Sequence, residues 1–133
     1  MNKIALCIGI NDYPGTGSDL AGCVNDANDW SKGLKARGFD TKVLVDKQAT
    51  GQGIRAVIKD AVASATSVGD QVIVQYSGHG SYVDDLEGDE PDGTDECLCP
   101  YDIGTKGELT DDELAELYGA RRYGVRLVML SDS

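Results

Sequence analysis

Histidine is nearly absent from this chain, because position 79 holds the only one among 133 residues. Chemistry that needs an imidazole near neutral pH therefore has to use His79. Basic residues are also scarce, with twelve Lys and Arg against twenty-three Asp and Glu and a formal net charge of −11. This balance argues against nucleic acid or an anionic membrane surface as a partner, and it fits a cationic substrate or bound metal ions.

Long apolar runs are missing as well, so the sequence predicts no membrane span. The run Ile4–Ile10 is too short for a signal peptide and lacks a small-residue cleavage site. The cysteines are irregularly spaced, unlike a secreted disulfide framework, which favours a reducing cytoplasm; they are Cys7, Cys23, Cys97 and Cys99. The one-residue gap between the last two, even with His79 nearby, is not a usual zinc spacing.

The hydrophobic pattern alternates strands with helices, which predicts one α/β domain with a largely parallel sheet covered on both faces. Helix caps are expected at Ser18 or Asp19 and at Thr50, with Gly38 ending the first helix near Arg37. Thr110 and Glu113 form a capping box for a short helix through Leu117. Buried strands are predicted at Ile4–Ile10, Gln71–Tyr76 and Val125–Leu130, and a further strand is predicted at Thr41–Val45.

Two segments each allow two interpretations. Eight of the thirteen residues from Asp84 to Glu96 are acidic, so this turn-rich segment is either a solvated loop or a loop that gathers carboxylates around a cation. Gly51-Gln52-Gly53-Ile54-Arg55-Ala56 fits a dinucleotide-binding fingerprint, but it does not directly follow a strand. Glycines in the first turn of a helix capped by Thr50 are the favoured interpretation.

The segment Tyr76-Ser77-Gly78-His79-Gly80 carries the strongest functional signal. It places the histidine after a buried strand, at the sheet edge where α/β proteins bind their ligands. The flanking glycines let the backbone turn sharply and approach a ligand closely. An imidazole there can act as a general acid or base near neutrality.

An ordered set of motifs then resembles the p20-like part of the caspase-type cysteine peptidases, and among them the metacaspases and their bacterial relatives. The motifs run the whole length of the chain in order: 8–13 (IGINDY), 20–27 (LAGCVNDA), 76–80 (YSGHG), 92–96 (DGTDE), 100–102 (PYD), 109–114 (LTDDEL) and 130–133 (LSDS). The resemblance implies a caspase-like three-layer α/β/α sandwich, of which residues 1–133 form the amino-terminal portion and the carboxyl-terminal strands are missing.

The resemblance also implies a cysteine–histidine dyad for peptide hydrolysis. His79 would act as acid and base, and the Gly80 N–H would donate to the oxyanion. The family's nucleophilic cysteine follows an Asp-Ser pair, which corresponds to Asp132-Ser133, so it is expected just after Ser133. This chain alone is therefore expected to be inactive, and Cys23 is either a thiol near the substrate cleft or a buried helix residue.

Substrate and cofactor follow from the same resemblance. Cleavage after Arg or Lys is implied, with Asp26 and Asp132 gripping the basic side chain of a polypeptide substrate. Calcium activation is implied through Asp95, Asp111 and Asp112, although acids at a helix start are also favoured by the helix dipole alone.

Two functional hypotheses stay open. The first is an Arg/Lys-specific endopeptidase that is completed by a carboxyl-terminal p10-like segment. The second is a non-catalytic caspase-like module, calcium-responsive, that acts as a binding partner or as half of a split protein. In both cases the strand Val125–Leu130 is expected to form an exposed apolar edge.

Overall fold

The computed structural model describes residues 2–13, 20–79, 97–103 and 109–132, without the side chains of residues 97, 110–112 and 132. Four parallel strands form the central sheet, in the order β2-β1-β3-β6, and a short antiparallel pair, β4 with β5, lies apart from it. The parallel sheet and the four predicted strands are confirmed. The fourth strand is not buried as predicted, because it lies at an edge of the described sheet, and Val128 on it is 38% exposed. The strands are β1 (Lys3–Gly9), β2 (Asp40–Val45), β3 (Gln71–Ser77), β4 (Cys97–Leu98), β5 (Leu109–Thr110) and β6 (Arg126–Asp132).

Three α-helices connect these strands in the described residues: α1 (Cys23–Ala36), α2 (Gly51–Ser64) and α3 (Asp111–Gly119). A 3-10 turn (Asp46–Gln48) precedes α2. Gly38 adopts φ +87° just after α1 and allows the chain to leave the helix, as predicted. The predicted Thr50 cap is also present, because its Oγ1 accepts a 3.0 Å bond from the Gly53 N–H.

The start of α1 differs from the prediction. Ser18 and Asp19 lie outside the described residues, and the helix begins at Cys23 with Gly22 in the capping position. Gly22 has no side chain to offer, so Asn11 supplies the cap from the loop after β1. Its Oδ1 accepts from the N–H groups of Cys23 at 2.8 Å and Val24 at 3.3 Å.

Helices cover both faces of the sheet. Side chains alternate along the buried strand β1, so successive residues pack against different helices. Leu6 and Ile8 join the larger core cluster, which includes Ile54 and Ile58 of α2. Ala5 and Cys7 pack instead against α1, with Ala27 and Leu34. Cys7 is fully buried in this core, and burial raises the pKa of its thiol to about 11, so the thiol stays protonated.

Glycines open α2, as the capped-helix interpretation requires. The Gly51 N–H donates to Asp102 Oδ1 at 2.9 Å, and the Gly53 N–H donates to Thr50. A Cβ on Gly53 would lie 2.6 Å from the Gln48 carbonyl oxygen, so close packing accounts for this glycine. Both amides thus already have side-chain acceptors.

Thr110 directly precedes α3, at the position of the predicted capping box, and its side chain is not among the described ones. Its partner Glu113 binds Arg55 of α2 through two hydrogen bonds, at 2.7 and 2.9 Å. The pair is exposed by about 40% on each side, so we expect only a modest contribution to stability. Among the described residues, none of the helices is long and apolar enough to cross a membrane.

Candidate active site

The site lies at the edge of the sheet where β1, β3 and β6 end, because the strands are parallel and finish on the same side. The strand register aligns Gly9 with Ser77, and Ser77 with Asp132. The loop through Tyr13 follows β1, and His79 comes two residues after the end of β3. The predicted position of the histidine at this edge is thus observed.

The backbone of His79 is held on both sides of the residue. Its N–H donates a 2.7 Å hydrogen bond to the hydroxyl of Tyr13. Its carbonyl oxygen accepts from the Tyr76 hydroxyl at 2.5 Å and from the Cys99 N–H at 3.1 Å. The Tyr13 ring also lies against the imidazole, with ring centroids 4.8 Å apart and the planes tilted by 51°.

Both tyrosine hydroxyls are buried, since Tyr13 is 1% exposed and Tyr76 is fully enclosed. Burial raises the pKa of each phenol above its ordinary value. Both therefore remain neutral across the physiological range and act as hydrogen-bonding groups. Gly78 is required beside them, because a Cβ there would lie 2.5 Å from the Tyr13 hydroxyl oxygen.

Asp26 faces the same edge from α1. Its Oδ2 accepts a 3.0 Å hydrogen bond from the Ser77 hydroxyl. Ser77 is also the strand partner of Asp132, so the backbone places both predicted substrate-binding acids next to one residue. The side chain of Asp132 lies outside the description.

A close approach between α1 and β1 sets the position of Asp26. A Cβ on Gly9 would lie only 2.4 Å from the Cys23 carbonyl oxygen and 2.9 Å from the Ala27 side chain. Glycine at this position therefore lets the first turn of α1 rest directly on the strand. Cys23 itself is 9% exposed, and the structure places its thiol at the start of this packed turn.

Asp46 was missed by the sequence reasoning, although it organises the loop after β1. Its Oδ1 accepts from the backbone N–H groups of Asn11 and Asp12, at 2.9 and 3.0 Å. The residue adopts φ +45°, a left-handed conformation that is uncommon outside glycine. No periodicity marks such a residue in the sequence. Tyr13 and Asn11 carry a signal only as part of the motif 8–13.

The remaining predicted site residues are only partly described. Gly80 and Asp95 lie outside the described residues. Asp111 and Asp112 form the first turn of α3, without described side chains. Within the described part of the chain, no group of three or more His, Cys, Asp or Glu residues is placed to hold a metal ion.

Comparison with known proteins first assigns the fold. A solved structure, the crystal structure of protein GSU0716 from Geobacter sulfurreducens, superimposes with a TM-score of 0.87 at 40% sequence identity. The match covers all of this chain and 50% of that one. The chain therefore has a caspase-like α/β fold, as the motifs implied.

The family follows from the sequence comparisons. Residues 3–133 match the family model described as metacaspase, peptidase C14 domain. Metacaspase-4 of Arabidopsis thaliana is 42% identical over 100% of this chain and 33% of its own length. Metacaspase-1 of Saccharomyces cerevisiae strain S288c is 38% identical over 97% of this chain and 32% of its own length. The chain belongs to the metacaspase family, and it spans about a third of the length of these relatives.

Proposed function

We propose that this chain is the histidine-bearing part of a metacaspase-type cysteine endopeptidase that cleaves after Arg or Lys. The observation that carries the proposal is the position of His79 beside the end of β6. Ser77 pairs with Asp132, and His79 lies two residues beyond Ser77. If the segments after β3 and β6 continue in the same register, the position immediately after Ser133 pairs with His79. The family's cysteine nucleophile is expected at that position.

The proposed chemistry needs a thiolate and an imidazolium at this edge, which form together when His79 takes the proton of the cysteine thiol. The thiolate attacks the scissile carbonyl carbon, and the electron pair moves onto the carbonyl oxygen, where the Gly80 N–H is proposed to donate a hydrogen bond. As the C–N bond breaks, His79 gives its proton to the leaving amine. Water then hydrolyses the thioester, with the neutral imidazole accepting a proton from it.

The proposed specificity rests on Asp26 and Asp132. Asp26 accepts from the Ser77 hydroxyl, and Asp132 pairs with Ser77 in the sheet, and two carboxylates at one edge suit the planar guanidinium of Arg or the ammonium of Lys. The chain's net charge of −11 also favours the approach of basic substrates. Cys23 begins the helix that carries Asp26, so we place its thiol beside the same cleft.

A p10-like segment is the proposed partner of β6. This strand is an edge of the described sheet, and Val128 on it is 38% exposed. An apolar groove of about 610 Å³ is lined by Trp30, Leu34 and Ile73 among others. Ile73 is the strand partner of Val128 in β6. Further strands and helices that extend the sheet would cover both features.

Calcium is proposed as an activator through Asp95, Asp111 and Asp112. Carboxylate oxygens suit a hard cation, and the start of α3 brings two of the three acids together in sequence. A cytoplasmic location is proposed as well. It is supported by Cys7 and Cys23, whose thiols are buried and form no disulfide.

The test is hydrolysis of fluorogenic peptides ending in Arg, Lys or Asp, by the natural full-length protein that contains this chain, with calcium or with a chelator. We expect Arg and Lys substrates to be cleaved, and His79→Ala to reduce kcat at least about a thousandfold. Asp26→Asn should raise KM for Arg substrates, whereas the exposed Asp29→Asn on the same helix should not. A stable wild-type protein that cleaves none of the substrates would favour the non-catalytic module instead.

A further inference from the structure

The hydrogen bonds around His79 form a closed ring that starts and ends on its own backbone. The His79 N–H donates to the Tyr13 hydroxyl oxygen, and the Tyr76 hydroxyl donates to the His79 carbonyl oxygen. The two hydroxyl oxygens lie 3.4 Å apart. With Tyr13 donating to Tyr76, each step of the ring has one donor and one acceptor.

This ring of hydrogen bonds restricts a backbone segment that its own sequence leaves flexible. His79 stands between two glycines, and glycine has the widest range of backbone conformations. An imidazole on such a segment would sample many orientations without outside contacts. Here Tyr13 holds the residue twice, by its hydroxyl on the backbone and by its ring against the imidazole.

The ring also joins His79 to two other parts of the chain. Tyr13 belongs to the loop after β1, and Cys99 follows β4. The Tyr76 hydroxyl oxygen lies 2.9 Å from the Cys99 carbonyl oxygen, and the Cys99 N–H donates to the His79 carbonyl oxygen. The backbone of His79 is therefore held by the loop after β1, by the segment after β4 and by Tyr76 of its own strand, through hydrogen bonds that are partly shielded from water.

We propose that Tyr13 is a positioning residue for His79, with Tyr76 completing the ring, so that the imidazole points where the proton has to be delivered. This proposal rests on the peptidase function proposed above. Tyr13 does not touch the substrate in this role, and it exchanges no proton with it. Its effect acts through the geometry of His79, and a displacement of about 1 Å in a reacting group can cost about a hundredfold in rate.

The first experiment is the variant Tyr13→Phe, which keeps the ring and removes only the hydroxyl. The measurement is amide hydrogen exchange in the natural full-length protein, read at the His79 N–H, which donates to the Tyr13 hydroxyl. We expect faster hydrogen exchange at the His79 amide, by about tenfold or more, because its acceptor is lost. Tyr123→Phe, at a position 93% exposed, is the matched control and should leave this exchange unchanged.

The second experiment measures catalysis in the natural full-length protein with two substrates of the same acyl-Arg group, an amide and an activated ester. Tyr13→Phe should lower kcat for the amide by about ten- to a hundredfold, with KM nearly unchanged. The ester should be affected much less, because its leaving group does not need a proton. A general loss of folding would lower both rates together. The ratio of kcat for the amide to kcat for the ester therefore separates an effect on the position of His79 from an effect on stability.

The outcomes are distinct. Unchanged amide exchange in Tyr13→Phe would overturn the proposal, as would equal losses for the amide and the ester. If Tyr13→Phe fails to fold, Tyr76→Phe removes the hydroxyl that donates to the His79 carbonyl oxygen, and the ratio of amide to ester rates is then the deciding readout. A wild-type protein without peptidase activity would contradict the proposed function, while the exchange measurement would still decide whether Tyr13 holds His79.

Discussion

Two buried polar side chains in this protein, Asp70 and Gln75, differ in whether their polar atoms have hydrogen-bond partners. Asp70 is 1% exposed, and its carboxylate accepts hydrogen bonds from the backbone N–H groups of Asn2, Ser67 and Thr66. These bonds hold the pKa of Asp70 below its usual range, and the bonds from Asn2 and Ser67 have the largest effect. Gln75 is equally buried, yet its amide nitrogen and oxygen have no hydrogen-bond partner among the residues that the structure describes.

Gln75 is therefore expected to cost stability, and Gln75→Leu should raise the free energy of unfolding. The residue pairs in register with Cys7 on one side and Leu130 on the other, so a leucine of similar volume would find apolar neighbours. Removing two unsatisfied buried polar atoms should gain about 1–3 kcal/mol. Urea unfolding of the two proteins measures the difference.

The control for this substitution is Gln71→Leu, in the same strand at a partly exposed position. It should change stability by less than about 0.5 kcal/mol. A Gln75→Leu variant no more stable than the parent would show that the glutamine amide is not a burden in the folded chain.

The residue scale was also where sequence reasoning was weakest. His79 could be recognised, because a lone imidazole after a β-branched strand and between glycines is a local pattern. The groups that hold it could not be, since Tyr13 and Cys99 come together with it only after the sheet has formed. Hydrogen bonds between residues distant in sequence leave no periodic signal.

At the scale of elements, the strands and helices were predictable because each has a strong internal pattern. Thr50 and Gly38 gave the correct helix boundaries, since both act on their own neighbours in the sequence. The start of α1 was not predictable in the same way. Its cap comes from Asn11, twelve residues before Cys23, and a cap from that distance requires the folded loop.

The variant Asn11→Ala tests this remote cap. Removing its Oδ1 would leave the N–H groups of Cys23 and Val24 without their acceptor, which should lower the free energy of unfolding by about 1 kcal/mol. Because α1 carries Asp26, cleavage of Arg substrates should weaken in parallel. Denaturant unfolding and KM for an Arg peptide are the two measurements.

The exposed residue Asn28 of the same helix provides the control. Asn28→Ala should be neutral or slightly stabilising, since alanine has the higher helix propensity and no cap is lost. Equal losses in the two variants would argue against a capping role for Asn11.

At the scale of the whole molecule, the two edges of the sheet differ. The outer strand β2 exposes Asp40 and Lys42, charges that discourage pairing with another chain. The opposite edge, β6, instead exposes Val128 by 38%, and its neighbours Leu127, Met129 and Leu130 are only partly buried. Only one of the two edges is therefore protected against association.

We expect the isolated chain of residues 1–133 to self-associate through β6. Sedimentation velocity over a range of concentrations should show species larger than the 14.1 kDa monomer. Val128→Lys should shift the distribution toward monomer, because a charge on an edge strand opposes pairing. Gln52→Lys, which adds the same kind of charge at an exposed position of α2, should leave it unchanged. A chain that is monomeric at every concentration would contradict the prediction, whereas suppression by Val128→Lys alone would identify β6 as the surface that another segment has to cover.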